Sequence, residues 1–367
     1  MLLTAQKLTA PFPYFGGKRA VAPIVWQALG DVKHFIEPFF GSGAVLLARP
    51  DYRPGEHIET VCDKDGFVSN AWRALQYAPD EVARWCDWPV NHVDLSARKR
   101  RLIANEARLL ENLIANDEWF DAKLAGYWIW AACCWIGSGL TRPGQIPHIS
   151  KRGVGVHALG QRPHVSHGGS GVHAPGKIPH LSDGGKGVHM LGQRPHLSDG
   201  GKGVQEPYNP NLYTWFRALS ARLRHVRVVC GDRTRVCGGN WQDKIGVCGI
   251  FFDPPYGHDT GRDNDLYQHE SADVAQDVSA WALARADNPR YRIVIAGYYE
   301  EHEQLLGKGW TAQRWSTGGG YGHTSRNANT RGNANRHREA LFLSPHCLRG
   351  APQAADADFL EARGPYA

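Results

Sequence analysis

"FFDPPYGHD", Phe251 to Asp259, runs the end of an apolar segment into an acid, two prolines and a tyrosine. With the preceding "GVCGI" it reads as a buried strand, and Pro254 and Pro255, which cannot donate backbone hydrogen bonds, end it. What remains past the strand is a turn rich in acceptors: the Asp253 carboxylate and the carbonyls of Asp253 and Pro254. Beside them stands the flat ring of Tyr256. Acceptors next to an aromatic face suit an amino group on a planar ring.

Outward from this strand the chain alternates strands and helices. Val21 to Leu29 has helical apolar spacing. "HFIEPFFGSGAVLL" (34–47) reads as a strand, a glycine turn and a helix start, and "IETVCDKDGFVSNAWRAL" (58–75) as a strand, an acidic tip and a helix. Downstream, "LYTWFRALSARLRHV" (212–226) is a helix, "RVVCGD" (227–232) a strand, "VAQDVSAWALARA" (274–286) a helix, and "RYRIVIAGY" (290–298) and "EALFLSP" (339–345) strands. This is the rhythm of a parallel sheet with crossovers. "SARKRRLIANEARLLENLIA" (96–115) predicts a helix with Asp94 or Ser96 as N-cap. "WFDAKLAGYWIWAACCWIG" (119–137) is apolar all round, which predicts deep packing, with Trp128, Trp130 and Trp135 in the core.

Between residues 144 and 207 a 16-residue unit occurs four times in succession. Units one and three share features, as do two and four, the mark of a duplicated pair. Each offers a short "PHxS" strand, a glycine turn and a "GVH" strand. Two apolar positions per unit, such as Leu181 and Val188, are too few for a self-sufficient core. The organisation expected is a first α/β part over 1–93 and an inserted region over 94–207, with helices at 95–137 and the repeats after them. A second α/β part over 208–349 and a disordered tail over 350–367 complete it.

The totals constrain the setting. The chain has 367 residues and a formal net charge of +6, a balance that admits a polyanionic partner. The eight cysteines form no CxxC pair, and Cys133 and Cys134 lie in an apolar stretch, so a reducing, cytoplasmic chain without a disulfide framework is expected. The start lacks the pattern of a signal peptide, and no run is long enough to span a membrane.

Four strand tips carry candidate chemistry. "FFGSG" (Phe39–Gly43) lets a ligand approach the backbone; a plain strand-to-helix turn would read the same way. It is not a phosphate loop, because GKS or GKT is missing, and "GGKR" at Gly16 to Arg19 lacks the upstream glycine and the hydroxyl. Glu37 and Asp63 lie at the carboxyl ends of the first two strands, where open α/β sheets bind ligands. Asp63 suits ribose hydroxyls or a helix cap, and Asp65 is its rival. Asp232 is a third strand-tip acid.

Taken in order, "PFPYFGGK" (11–18), "FIEPFFGSGAVLL", "VCDKDGFVSNAWRAL", "RVVCGD" and "FFDPPY" resemble the DNA adenine-N6 methyltransferases. The match is to the subgroup with "GGK" first and the recognition region between the glycine loop and "DPPY". The resemblance implies a Rossmann-like α/β fold with a mixed, mostly parallel sheet and an antiparallel last strand. It implies S-adenosylmethionine as cofactor, bound by Tyr14, Lys18, Glu37, Phe39, Gly41, Gly43, Asp63, Asp232 and Asp253. Asp63 would hold the ribose and Asp232 would lie near the cofactor adenine. Asp253, Pro254, Pro255 and Tyr256 would form the catalytic turn. Tyr14 stands where some relatives carry tryptophan, and the repeats align with no recognition region.

The implied partner is double-stranded DNA, with the chain acting as a monomer in a bacterial cell or phage-infected host; a cognate restriction endonuclease is compatible with this setting. The repeats hold eight of the eighteen histidines and seven Lys/Arg. They could lie along phosphates through Arg162, Lys177 and Arg194, or be a solvated expansion. The basic loop containing Arg326, Arg331 and Arg336 could close over DNA. Recurring histidine pairs such as His148 and His157 lack cysteine partners, and no metal is expected. Adenine in RNA is an alternative substrate, and a non-catalytic DNA-binding protein an alternative class. Cytosine-N4 transfer fits less well, since that chemistry more often accompanies "SPPY".

Overall fold

The computed structural model describes residues 8–14, 18–116, 118–135, 140–141, 145–147, 156–158, 210–255, 274–315 and 338–348. Three sequence features shape the start of the sheet. α1 (Ala22–Leu29) carries Pro23 in its first turn, where the missing N–H costs nothing, and ends at Gly30 with φ of 64°. β1 (His34–Glu37) is buried along its whole length, as expected of a central parallel strand. A Cβ on Gly249, in the later strand Cys248–Phe252, would lie 2.9 Å from Val32, so the glycine lets the Val32 region approach that strand.

α2 (Ala44–Leu47), β2 (Ile58–Asp63), α3 (Gly66–Tyr77), α4 (Pro79–Cys86), α5 (His92–Ala115) and α6 (Ala122–Cys134) follow. Next come β3 (Gln145–Pro147) and β4 (Val156–Ala158), then α7 (Pro210–Leu223), β5 (Val226–Cys230) and α8 (Thr234–Cys237). The chain continues with β6 (Cys248–Phe252), α9 (Val274–Leu283), β7 (Tyr291–Tyr298), α10 (Tyr299–His302), β8 (Thr311–Arg314) and β9 (Glu339–Leu343).

Seven strands form one sheet in the order β5-β2-β1-β6-β7-β9-β8. β5, β2, β1, β6 and β7 pair in parallel, and β9 runs antiparallel between β7 and β8. The fold is α/β with a mostly parallel mixed sheet, compatible with a Rossmann-like architecture, and the antiparallel last strand is as expected. The strand sequence turns back between β1 and β6, the place where such sheets open a ligand crevice at their carboxyl edge.

Alternation along each strand feeds the two faces. Phe35, Val61, Phe251 and Val294 enter one core with Trp26, Trp72, Leu102, Ile129 and Phe216. Ile36, Cys62, Phe252, Ile293 and Ile295 enter the other with Val236, Val278 and Leu305. α5 and α6 share the first core, and the boundary expected at residue 93 falls inside α5. Trp128, Trp130 and Trp135 are buried as expected, and all eight cysteines are buried and outside any disulfide. Among the described residues no helix is long and apolar enough to cross a membrane.

One sequence expectation needs correction. The N-cap of α5 is Asn91, whose side chain accepts from the Asp94 N–H; Asp94 instead accepts from Trp88 and Asn91 side chains. In the first repeat the described strands Gln145–Pro147 and Val156–Ala158 pair antiparallel, the first ending on the proline of "PHIS" and the second taking in the last two residues of "GVH"; His148–Ser150 lie outside the described residues. The other three repeats, the loop over 316–337 and the tail lie outside the described residues.

Away from the crevice, Glu59 at the start of β2 is fully buried between two guanidinium groups. Arg222 of α7 reaches both its oxygens at 2.6 and 2.9 Å, and Arg49 reaches one at 3.2 Å. This cluster joins sequence on both sides of the repeats. Glu59→Ala leaves two cations facing a buried gap and should cost about 3–5 kcal/mol in urea unfolding. Arg217→Ala, which removes the exposed Arg217–Asp80 pair, should cost under about 1 kcal/mol.

Candidate active site

The glycine turn after β1 is held from three sides. The Gly41 N–H donates to Asp63 Oδ2 at 2.7 Å, and the Trp72 indole N–H donates to the Gly41 carbonyl at 2.8 Å. The Phe40 N–H donates to the Cys62 carbonyl at 3.0 Å. Gly41 has φ of 46°, and a Cβ there would lie 2.5 Å from the Tyr14 ring. Tyr14 therefore packs directly on the turn. Gly43 also has positive φ, 60°, and a Cβ would strike the Phe40 ring at 2.7 Å.

The Asp63–Asp65 ambiguity resolves by hydrogen bonding. Asp65 is the N-cap of α3, accepting from the N–H groups of Phe67 at 2.7 Å and Val68 at 3.3 Å. Asp63 is the acid that grips the turn, and its Oδ1 accepts from the Asp65 N–H at 2.9 Å. Burial first, then the Asp65 carboxylate, push Asp63 up to about 7, against the pull of the Gly41, Asp65 and Lys64 N–H groups.

Glu37 closes β1 beneath the turn and is buried, with the Leu46 N–H donating to it at 3.2 Å. Burial pushes its carboxyl well above the ordinary range; the Leu46 N–H opposes this, and the Asp253, Glu59 and Asp63 carboxylates add to it. Asp253 follows β6, the strand beside β1. The Lys18 ammonium, buried just before α1, lies 2.9 Å from Asp253 Oδ1. Lys18 Nζ also stands 6.0 Å from the centre of the Trp315 ring. Pro254 is buried and Pro255 half-buried.

The structure thus brings Tyr14, Lys18, Glu37, Gly41, Gly43, Asp63 and Asp253 to the carboxyl edge around the turn-back point. Phe39 is half-buried, its ring 6.3 Å from that of Phe252. Asp232 lies past β5, two strands out from β1, and is exposed. It accepts from the Thr234 N–H at 2.9 Å. Partial burial opposes its charge, but bonds from the Thr234 backbone and side chain and the nearby Arg233 and Lys64 bring its pKa below the ordinary value. Tyr256, Arg162, Lys177, Arg194, Arg326, Arg331 and Arg336 lie outside the described residues.

Sequence reasoning gave Trp72 and Trp315 no role at this edge, and paired Lys18 with no partner. Trp72 lies within a quoted motif, and its buried indole N–H was a signal that a polar partner exists. Nothing in the sequence links Lys18 to Asp253; the sheet topology does.

The side chains fit a ligand of a particular kind. Carboxyl groups around a glycine turn offer acceptors to hydroxyl and N–H donors, which a polyphosphate does not supply. Among the described residues no group of three or more His, Cys, Asp or Glu is placed to hold a metal ion. No protein-family model matches this chain, and no curated protein matches it.

A raised folded-state carboxyl means that between pH about 4 and 7 the folded chain holds a proton the unfolded chain has released. Stability from Asp63 therefore falls as pH rises through that window. Urea unfolding across it should show a shallower decline for Asp63→Asn than for the parent chain; an unchanged slope would contradict the assignment. Gly41→Ala should destabilise by about 1–2 kcal/mol from the left-handed backbone alone, with the Tyr14 clash added.

Proposed function

We propose that this chain is an S-adenosylmethionine-dependent DNA adenine-N6 methyltransferase with the fold of that enzyme class. The observation that carries the reading is the convergence of Glu37, the Gly41–Gly43 turn, Asp63 and Asp253 at one crevice, at the ends of β1, β2 and β6. These are the residues that the ordered motifs mark as functional. S-adenosylmethionine would supply a methyl already activated on a sulfonium.

The rest falls to the chain's own groups. Asp63 would accept from ribose hydroxyls while bracing Gly41. Tyr14 would wall the nucleoside, and Glu37, ionising on contact, would take an ammonium. Asp232 would stand near the cofactor's adenine. An adenine amino nitrogen is a poor nucleophile because its lone pair is delocalised into the ring. The Asp253 carboxylate and the Pro254 carbonyl would accept its two hydrogens and favour a pyramidal nitrogen whose lone pair points at the methyl. Alignment does most of the work. The carboxylate would stabilise the positive charge that develops on that nitrogen until one of its two hydrogens is lost as a proton to solvent. Tyr256 would stack on the base, which must leave the duplex to reach this turn. Basic residues of the repeats and of the 316–337 loop would contact phosphates.

Expression in a bacterial strain lacking adenine methylation, followed by genome-wide mapping of modified bases, should reveal N6-methyladenine in one recurring sequence. Unmodified DNA, or modified cytosine, would contradict the reading. Purified protein should label duplex DNA and not structured RNA. Asp253→Asn, which keeps shape and loses charge, should lower methyl incorporation by roughly 10²–10³-fold.

A further inference from the structure

Trp72 of α3 is fully buried, and the one polar atom of its side chain is aimed at the glycine turn. Its indole N–H donates to the Gly41 carbonyl at 2.8 Å, and among the described residues no backbone N–H donates to that carbonyl. The ring is locked in place by two others. Phe40 stands 5.2 Å away, centre to centre, and Phe12 stands 5.4 Å away. Phe12 is itself buried and packs edge-on against Trp128 of α6 at 4.7 Å. The Cys133 thiol of the same helix donates to the Pro11 carbonyl at 3.5 Å, which ties the segment before Phe12 to α6. A core tryptophan needs a partner for its N–H, and many carbonyls would serve. This carbonyl belongs to the residue whose own N–H donates to Asp63 Oδ2 at 2.7 Å.

Resting on the methyltransferase reading, we propose that Trp72 is a positioning residue for the methyl donor, acting through Gly41 on the Asp63 carboxyl group that would take the ribose. The peptide planes on both sides of Gly41 are rigid, and each is held by one bond. The plane before it is held through the N–H to Asp63, and the plane after it through the carbonyl to Trp72. Glycine has no side chain to narrow its own φ and ψ, so these two bonds supply the restraint. Without the indole N–H the second plane is free to turn, and a buried carbonyl is left without a partner. Gly41 relaxes, and Asp63 loses the N–H that fixes the plane of its carboxyl group on the Oδ2 side. Its Oδ1 keeps the Asp65 N–H, so the acid stays in place with its second oxygen no longer oriented. The loss falls on the ribose hydroxyls. The methyl end, beside Asp253, is untouched. Through Phe12 and Trp128 the inserted helix α6 is part of the same support.

Calorimetry on the purified full chain, with S-adenosylhomocysteine and its 2′,3′-dideoxy form as ligands, tests this. Two variants remove the N–H: Trp72→Phe, and 3-benzothienylalanine placed at position 72 by amber suppression, which keeps the double ring and lacks the donor. Each should weaken S-adenosylhomocysteine roughly tenfold. Neither should change the affinity for the dideoxy form by more than about twofold, because that ligand makes no use of Asp63. In methyl transfer to the mapped duplex the donor KM should rise in step, with kcat unchanged. A general defect of the core would weaken both ligands equally. Equal weakening, or a benzothienyl chain that binds both ligands as the parent does, overturns the proposal. If Trp72→Phe does not fold, the isosteric replacement decides alone. A parent chain that binds neither ligand removes the methyltransferase reading and this proposal with it. A parent chain that binds both ligands equally well shows that Asp63 does not hold the ribose, which removes this proposal and leaves that reading standing.

Discussion

The hydrogen bonds from the Gly41 and Asp65 N–H groups to one carboxylate, Asp63, are what the crevice depends on. They tie the turn after β1 to the tip of β2, and the Trp72 indole holds the other side of Gly41. The turn can then keep its positive φ angles and leave no side chain where Tyr14 packs. Because β1 and β6 are neighbours, the same turn also stands beside Asp253. A single strand-tip acid thus sets the distance between what would be the nucleoside end and the reacting end of a ligand.

Charge is used differently at the two edges of the sheet. At the amino edge Glu59 is matched by two guanidinium groups in a dry setting, an arrangement whose worth is that it joins α7 to β2 across the repeat-bearing stretch. At the carboxyl edge acids outnumber the described cation that pairs with them. Burial holds Glu37 and Asp63 well above ordinary carboxyl values, so the site can release protons to greet a cation. The first cluster is closed on itself; at the second, among the described residues, three carboxyl groups stand beside one ammonium.

Much of this was legible in the sequence, for physical reasons. β1 and β6 are continuous apolar runs, and such runs declare themselves as central parallel strands. The strand-tip acids and glycines could be placed once those strands were. The α5 cap was legible too, since Asn91 three residues before Asp94 can reach its N–H, yet the later acid drew the assignment. β8 left no signal: "TAQR" is a four-residue edge strand with no buried position. Asp63 and Asp65 are two residues apart at one strand tip, and only the hydrogen bonds separate a turn-gripping acid from a helix cap. The Lys18–Asp253 pair joins residues far apart in the sequence, on either side of the repeats, and needs the strand order to be known first.

The central claim is that the acid-lined crevice between β1 and β6 takes a sulfonium nucleoside. A crystal structure with S-adenosylmethionine tests it most directly. The account predicts the ribose on Asp63, the nucleoside against Tyr14, and the methyl turned toward Asp253 with room for a purine beyond it. Ligand bound elsewhere, or a methyl turned away from Asp253 with the space beyond it filled by protein, would contradict it.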